Sequence, residues 1–148
     1  MGGVSVKRRV VMGRRRAART LAIQALYQWN FQQDERMYPW ESCRDGDIDS
    51  VAIDFAKTLL EGVIQHREVI DDVISKHMHN WAMNRLSVVD RNVLRIAVFE
   101  LLYLEDIPSA VTINEAIEIA KEFGDDESGG FVNGVLDGLT KSIGATKT

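Results

Sequence analysis

The chain of 148 residues is long enough for one compact domain with a substantial core, and it is too short for two independent ones. Hydrophobic residues make up 45% and charged residues 27%, a composition typical of globular proteins. The single cysteine excludes an internal disulfide and favours a reducing, cytoplasmic compartment. No apolar run approaches the roughly 18–20 residues that span a bilayer, which argues against a membrane protein.

The net charge of −4 conceals a strong asymmetry along the chain. Seven of the eighteen basic residues precede the first acidic one, Asp34. They are Lys7, Arg8, Arg9, Arg14, Arg15, Arg16 and Arg19. The remainder carries eleven basic against twenty-two acidic residues. A basic segment on an acidic body is typical of a protein that binds a polyanion at one end, although a solvated tail would give the same count.

Helical periodicity dominates the chain, and no stretch alternates long enough to predict a strand. We predict a first helix over about residues 14–33 and then a loop through Tyr38 and Pro39. The second and third helices are predicted over about 49–65 and 68–81. The apolar stripe of the first helix consists of Ala18, Leu21, Ala22, Ala25, Leu26 and Trp29.

The stretch "LSVVDRNVLRIAVFELLYL" predicts a central helix that is surrounded by other helices. Ser87 and Asp90 have the spacing of the N-cap and N3 positions in a capping box. Residues 96–102 are apolar on almost every side, as expected for a helix without a solvent-facing side. Glu100 must therefore find a buried partner or an edge.

Two further helices are predicted after Pro108. Thr112 and Glu115 have the spacing of a second capping box, and Gly124 is a suitable terminator for the helix that follows. The acidic turn "DDESGG" leads to a last helix with Ser128 as its predicted N-cap. The fold class predicted from these patterns is all-α, with five to seven helices.

The flank of the first helix carries arginines and an aromatic ring. At about 100° per residue, the flank of the apolar stripe carries Arg15, Arg19 and Arg16, in that order around the helix axis. Tyr27 lies within ~20° of Arg16 around the same axis. Guanidinium groups bind phosphates in a bidentate manner, and exposed rings stack on unpaired bases. No acidic residue stands one turn further along to pair with the arginines. The pattern favours RNA over the alternative, a solvated arginine cluster with a half-buried tyrosine.

The last helix offers a second aromatic candidate. Phe131 lies roughly 90° from the centre of the apolar face, on the same side as Gly134 and Gly138. A ring on such a glycine edge could stack on a base where a strand approaches closely. For this helix alone, a core phenylalanine with glycines at a helix contact is the favoured interpretation.

Signals for catalysis or metal binding are weak. His77 and His79 point in nearly opposite directions on a helix, and no carboxylate accompanies His66 at a ligand spacing. Cys43 has no neighbouring histidine that could activate it as a nucleophile. The glycine-rich turn follows a helix rather than a strand, so it is no phosphate-binding loop. These residues support neither acyl nor phosphoryl transfer, and they predict no metal site.

Four segments in order resemble the bacterial transcription antitermination factors of the NusB family: "RRRAARTLAIQALYQW", "VVDRNVLRIAVFELLY", "INEAIEIAKEFG" and "FVNGVLDGL". The resemblance implies a single all-helical domain over 14–148, built from two small three-helix bundles of about 14–83 and 84–148 that pack crosswise. Residues 1–13 are predicted to form a flexible basic arm. The implied function is non-catalytic: the protein binds the boxA element of nascent ribosomal RNA with NusE, a small-subunit ribosomal protein, and helps the transcription elongation complex to resist termination.

The resemblance and the basic motif together give the candidate site residues. Those for RNA are Arg14, Arg15, Arg16, Arg19, Tyr27, Glu127 and Phe131, with Glu127 as the acidic position that modulates affinity. Asp90 and Arg91, at the start of the central helix, are the candidates for binding protein partners. Many relatives carry a lysine where this chain has Gly130, which puts one phosphate contact in doubt.

Two other interpretations stay open. In the first, the protein is a scaffold whose acidic helices and central-helix edge bind a basic partner, or a homodimer that hides the RNA-binding surface while free. In the second, the chain corresponds to the RNA-binding domain that some ribosomal RNA methyltransferases carry, without a catalytic domain.

Overall fold

The computed structural model describes residues 3–31, 49–78 and 86–143, which form six helices and no strand. The helices are α1 (Gly3–Phe31), α2 (Ser50–Gln65), α3 (Arg67–Lys76), α4 (Val88–Tyr103), α5 (Ser109–Phe123) and α6 (Ser128–Ile143). This confirms the predicted all-α class. The predicted loop through Tyr38 and Pro39 and the predicted end of the third helix at Trp81 lie outside the described residues. Within the described ranges, no helix is long and apolar enough to cross a membrane.

The chain divides into two compact units, Met1–Glu61 and Gly62–Thr148, with the boundary inside α2. The two predicted three-helix bundles of about 14–83 and 84–148 stay a prediction. In the structure α3 packs against α4 and α6, and it therefore belongs to the second unit.

In the first unit, α1 begins at Gly3 rather than near residue 14, so most of the predicted basic arm is part of the helix. The predicted apolar stripe is confirmed from Ala18 to Leu26, which are buried. α2 adds small and branched side chains to this core: Ala52, Ala56, Leu59 and Leu60.

In the second unit, α4 is the central helix and packs against α3, α5 and α6. Every residue from Asn92 to Leu101 is buried, which confirms a helix without a solvent-facing side. The hydroxyl of Ser87 accepts a hydrogen bond from the Asp90 N–H at 3.1 Å, as the capping-box spacing predicts. Such a cap contributes about 1 kcal/mol to helix stability.

The two ionisable residues within the buried stretch 92–101 of α4, Arg95 and Glu100, both find partners. Arg95 donates to both carboxylate oxygens of Asp71, at 2.9 and 3.0 Å, and so joins α4 to α3. Glu100 is fully buried and accepts a hydrogen bond from the Thr112 hydroxyl at 2.9 Å. A buried polar group is costly without a hydrogen-bond partner, so the Thr112 contact helps to accommodate Glu100 in the core.

This contact also corrects the second predicted capping box. α5 begins at Ser109 after Pro108, and Thr112 lies inside the helix with its hydroxyl directed to Glu100. The prediction that Thr112 and Glu115 open this helix is therefore wrong.

The turn between α5 and α6 depends on side-chain caps and one glycine. Gly124 ends α5 as predicted, and a Cβ there would collide with the side chain of Ser128. Ser128 is the first residue of α6 rather than its N-cap. The Asp125 carboxylate accepts from the Glu127 N–H at 2.9 Å, and the Ser128 hydroxyl accepts from the Asp125 N–H at 3.0 Å, so these side chains close the turn before α6.

Candidate nucleic-acid-binding surfaces

The first candidate surface, which we call the arginine flank, comprises Arg14, Arg15, Arg16, Arg19 and Tyr27 of α1. Arg15 and Arg16 are exposed, and Tyr27 is 52% exposed. The ring and the two guanidinium-bearing side chains therefore reach solvent, as the helical angles predict. Arg19 differs because only 2% of its surface is exposed.

An aromatic residue of α2 orients two of these arginines. The guanidinium carbon of Arg15 lies 5.4 Å from the centre of the Phe55 ring, and that of Arg19 lies 5.7 Å from it. A cation over a ring contributes about 0.5–1 kcal/mol when exposed and about 2 kcal/mol when desolvated. The Phe55 ring thus contacts both the exposed Arg15 and the buried Arg19 and stabilises the position of each guanidinium group.

Arg14 is neutralised by the protein itself. Its Nη2 lies 3.0 Å from Asp49 Oδ2, and both side chains are about one-third exposed. The other oxygen of Asp49 accepts the Val51 N–H at 2.7 Å, so the same carboxylate caps α2. No acidic residue lies one turn along α1 from the arginines, as predicted, but the residue just before α2 supplies an acid that pairs with Arg14.

The second candidate surface, the α6 edge, comprises Glu127, Gly130, Phe131 and Gly134. Phe131 is half-buried, and Glu127 is exposed. A Cβ added at Gly130 or Gly134 would have no atom within 4 Å, so the backbone of α6 is open at both positions. At Gly138 a Cβ would contact His77 Cδ2 at 3.9 Å. The glycine edge predicted from the sequence is thus open for its first two turns, and at Gly138 it faces His77, which follows α3.

The candidates for partner binding lie in the first turn of α4. Asp90 is largely buried, and its Oδ1 has no hydrogen-bond partner in the described part of the chain. Arg91 is half-buried and donates through Nη2 to the Leu86 carbonyl at 3.2 Å. Partner binding by Asp90 and Arg91 stays a prediction.

The histidines and the cysteine form no evident reaction centre in the described ranges, where no group of three or more His, Cys, Asp or Glu could hold a metal ion. His77 Nδ1 lies 2.9 Å from the Val73 carbonyl. The His66 ring stacks on Tyr103 with centroids 4.1 Å apart. Cys43 and His79 lie outside the described residues.

A comparison with models of protein families shows to which family the chain belongs. The family model described as the NusB family matches residues 16–141. The chain belongs to the NusB family. This match includes Arg16, Arg19, Tyr27, Glu127 and Phe131 and begins just after Arg15.

Individual NusB proteins agree with this assignment. The transcription antitermination protein NusB of Myxococcus xanthus is 47% identical over 137 residues, covering 89% of this chain and 98% of its own length. The solved structure of T. maritima NusB has a TM-score of 0.77 and 47% identity, and it covers 86% of this chain and 90% of that one. A crystal structure of the antitermination factors NusB and NusE in complex with dsRNA has a TM-score of 0.72 and 31% identity, and it covers 88% of this chain and 98% of that one.

The NusB resemblance drawn from four sequence segments is therefore confirmed, together with the all-helical fold. Sequence reasoning did not identify Phe55 or Asp49 as residues that orient the arginine flank. No spacing within α1 points to them, since Phe55 lies in α2 and Asp49 directly precedes it, and both meet α1 only when the two helices pack.

Proposed function

We propose that this NusB-family protein is a non-catalytic, cytoplasmic, RNA-binding transcription antitermination factor. It binds a boxA-like single strand of nascent ribosomal RNA together with NusE, and it acts in the elongation complex to suppress termination. The observation that carries the proposal is the similarity to the solved complex of NusB and NusE with dsRNA, which covers 88% of this chain at 31% identity. The proposal needs neither a cofactor nor a metal.

The arginine flank supplies the contacts to phosphate. Arg15 and Arg16 are exposed, and Arg15 is held over Phe55, so its guanidinium is partly ordered before RNA arrives. Tyr27 offers a ring on the same helix for an unpaired base, and such stacking contributes about 1–3 kcal/mol per base. Direct contacts from Arg14 and Arg19 stay predictions, since the first is paired with Asp49 and the second is buried.

The α6 edge supplies a second place for a base. Phe131 retains an exposed part beside Gly130 and Gly134, where the open backbone lets a strand approach closely. Glu127 at the start of this edge repels phosphate and thereby limits affinity. The acidic remainder of the chain disfavours RNA elsewhere on the protein.

A binding titration tests the proposal. The anisotropy of labelled boxA-like RNA is measured against a scrambled RNA of equal length, with and without NusE, at two salt concentrations. We expect preference for the boxA-like RNA, stronger with NusE, and weaker binding for the Arg15→Gln/Arg16→Gln variant. Lys76→Gln is the control, because Lys76 is exposed and lies in α3, where it pairs with Asp72, rather than on the arginine flank. Equal affinity for both RNAs under all conditions would reduce the function to general polyanion binding.

A scaffold for a basic partner is the second candidate. It is favoured by the composition of residues 104–143, which contain nine acidic and two basic residues. Ribosomal proteins are generally basic because they bind RNA, so NusE would suit such a surface. In this case the Arg15→Gln/Arg16→Gln variant binds RNA and NusE like the unmodified protein. Sedimentation of the free protein tests the homodimer form of this interpretation.

A further inference from the structure

The side chain of Asp49 contacts both the start of α2 and an arginine of α1. Its Oδ1 accepts the Val51 N–H at 2.7 Å, and the Asp49 carbonyl accepts the Ile53 N–H at 3.1 Å. These are the bonds of a helix N-cap, where the partial positive charge of the helix end also favours an acid. Its Oδ2 lies 3.0 Å from Arg14 Nη2. The anion beside Arg14 is therefore held in place by the helix that it caps.

Arg14 lies at the border between the core and the surface of the first unit. It stands four residues before Ala18 and seven before Leu21, so it extends the buried stripe of α1 by one turn, within about 40°. Its Nε is buried and has no hydrogen-bond partner in the ranges that the structure covers, whereas 38% of the side chain is exposed. A guanidinium carries five N–H donors, and Asp49 engages this one through Nη2. Arg14 therefore keeps donors that a phosphate at the surface can reach.

The neighbouring Arg15 has a different partner. Arg15 is exposed and lies over the ring of Phe55, in the second turn of α2, whereas Arg14 meets the acid that precedes the first turn. The two arginines are consecutive, with Cα atoms about 3.8 Å apart, and both extend towards the N-terminal end of α2. A strand whose phosphate binds Arg15 therefore has Arg14 within reach. A phosphate that approaches Arg14 also approaches Asp49, and repulsion between the two anions offsets its attraction to the cation.

We propose that Asp49 competes with an RNA phosphate for Arg14 and thereby limits the affinity of the arginine flank. The inference rests on the proposed function and concerns the regulation of the same surface. The flank binds RNA through Arg15 and Arg16, and a phosphate contact at Arg14 forms only as the pair with Asp49 is given up. RNA binding is therefore weaker and more readily reversed than an unpaired Arg14 would make it.

The test removes the charge of Asp49 and keeps its cap. Asparagine caps helices about as well as aspartate, so Asp49→Asn retains an acceptor for the Val51 N–H and leaves Arg14 without its anion. Binding of boxA-like RNA is measured by anisotropy across a series of salt concentrations. We expect about two- to five-fold tighter binding, the range for one partly exposed ion pair. The slope of log K against log salt steepens by up to about 0.7, the value for one phosphate contact on a single strand.

Asp72→Asn is the matched control. It makes the same substitution and the same change in net charge, and it releases Lys76, which pairs with Asp72 at 2.9 Å in α3 rather than on the arginine flank. We expect unchanged affinity and an unchanged salt slope. Asp49→Ser has a second uncharged cap and is expected to bind RNA more tightly, as Asp49→Asn does. Damage to the fold would weaken binding, so tighter binding separates competition from a structural effect. Unchanged or weaker binding in both Asp49 variants overturns the inference.

Arg14→Gln shows whether the gain in affinity depends on Arg14. Added to Asp49→Asn, it is expected to return the affinity and the salt slope to about those of the unmodified protein. Alone, it changes both quantities less, because Asp49 already neutralises the arginine. A gain that persists in the double variant would mean that Asp49 repels RNA from the flank as a whole, and it would overturn competition for Arg14.

The same titrations distinguish this inference from the proposed function. If the unmodified protein prefers boxA-like RNA and Asp49→Asn binds it no more tightly, only the role of Asp49 is refuted. If neither protein binds RNA, both fail. If the unmodified protein binds boxA-like and scrambled RNA equally, the specific function fails, while the gain and its dependence on Arg14 still decide whether Asp49 competes with phosphate.

Discussion

Replacing Phe55 by leucine removes the ring that two arginines of α1 share while retaining an apolar side chain. Arg15 is exposed, so its contact at 5.4 Å contributes about 0.5–1 kcal/mol. Arg19 is 2% exposed, so its contact at 5.7 Å contributes about 2 kcal/mol. The expected loss in the free energy of unfolding is therefore about 2–3 kcal/mol. For a chain of this length, that loss lowers the thermal midpoint by about 4–12 °C.

Phe55→Leu also weakens RNA binding, because Arg15 loses the surface that orders its guanidinium. Ordering a long side chain on binding costs about 0.5–1.5 kcal/mol, which corresponds to about two- to ten-fold in affinity. Phe55→Tyr keeps the ring and serves as the control, with nearly unchanged affinity and a smaller change in thermal midpoint.

Thermal unfolding followed by circular dichroism and RNA anisotropy are measured on the same preparations. A double-mutant cycle with Arg15→Gln isolates the contact, and we expect a coupling of about 0.5–1 kcal/mol in stability. Strictly additive effects, or equal losses for Phe55→Leu and Phe55→Tyr, would show that the ring does not act on the arginines as described.

The remaining predictions concern one ring, one buried hydrogen bond and one close approach. Tyr27→Ala weakens RNA binding by about 1–3 kcal/mol with a nearly unchanged thermal midpoint, since the ring is 52% exposed; a stability loss with normal binding would assign the ring to the core. Thr112→Val removes the hydroxyl that donates to the buried side chain of Glu100, so we expect the free energy of unfolding to fall by about 1–3 kcal/mol. Urea titration measures this loss, and an unchanged urea midpoint would contradict it. Gly62→Ala places a methyl group against the ring of Phe99 and lowers the free energy of unfolding by about 1–3 kcal/mol. Gly134→Ala meets no atom within 4 Å, so we expect an unchanged thermal midpoint. Equal thermal midpoints for the two variants would refute the packing argument.

Local patterns in the sequence predict what depends on a few neighbouring residues. Ser87 and Asp90 form the expected cap, with the serine hydroxyl accepting from the Asp90 N–H three residues along the chain. Thr112 and Glu115 have the same spacing, yet the threonine hydroxyl donates to Glu100, twelve residues earlier in α4. The sequence does show that Glu100 needs a partner, but it cannot show which residue of another helix supplies it.

The same distinction between local pattern and packing of separate helices applies to the candidate site. The outward direction of Arg15, Arg16 and Tyr27 follows from the helical angle alone and agrees with their exposure. The burial of Arg19 and the pairing of Arg14 depend on how α2 packs against α1, which no spacing within one helix reveals.

Photochemical crosslinking tests most directly the claim that RNA lies on the arginine flank and the α6 edge. A boxA-like RNA that carries thiouridine is irradiated with the protein, and the crosslinked residues are identified by mass spectrometry. We predict crosslinks at Tyr27 and Phe131, and fewer crosslinks in the Arg15→Gln/Arg16→Gln variant. Crosslinks confined to other exposed rings, such as Tyr103 and Phe123, would contradict this placement of the RNA.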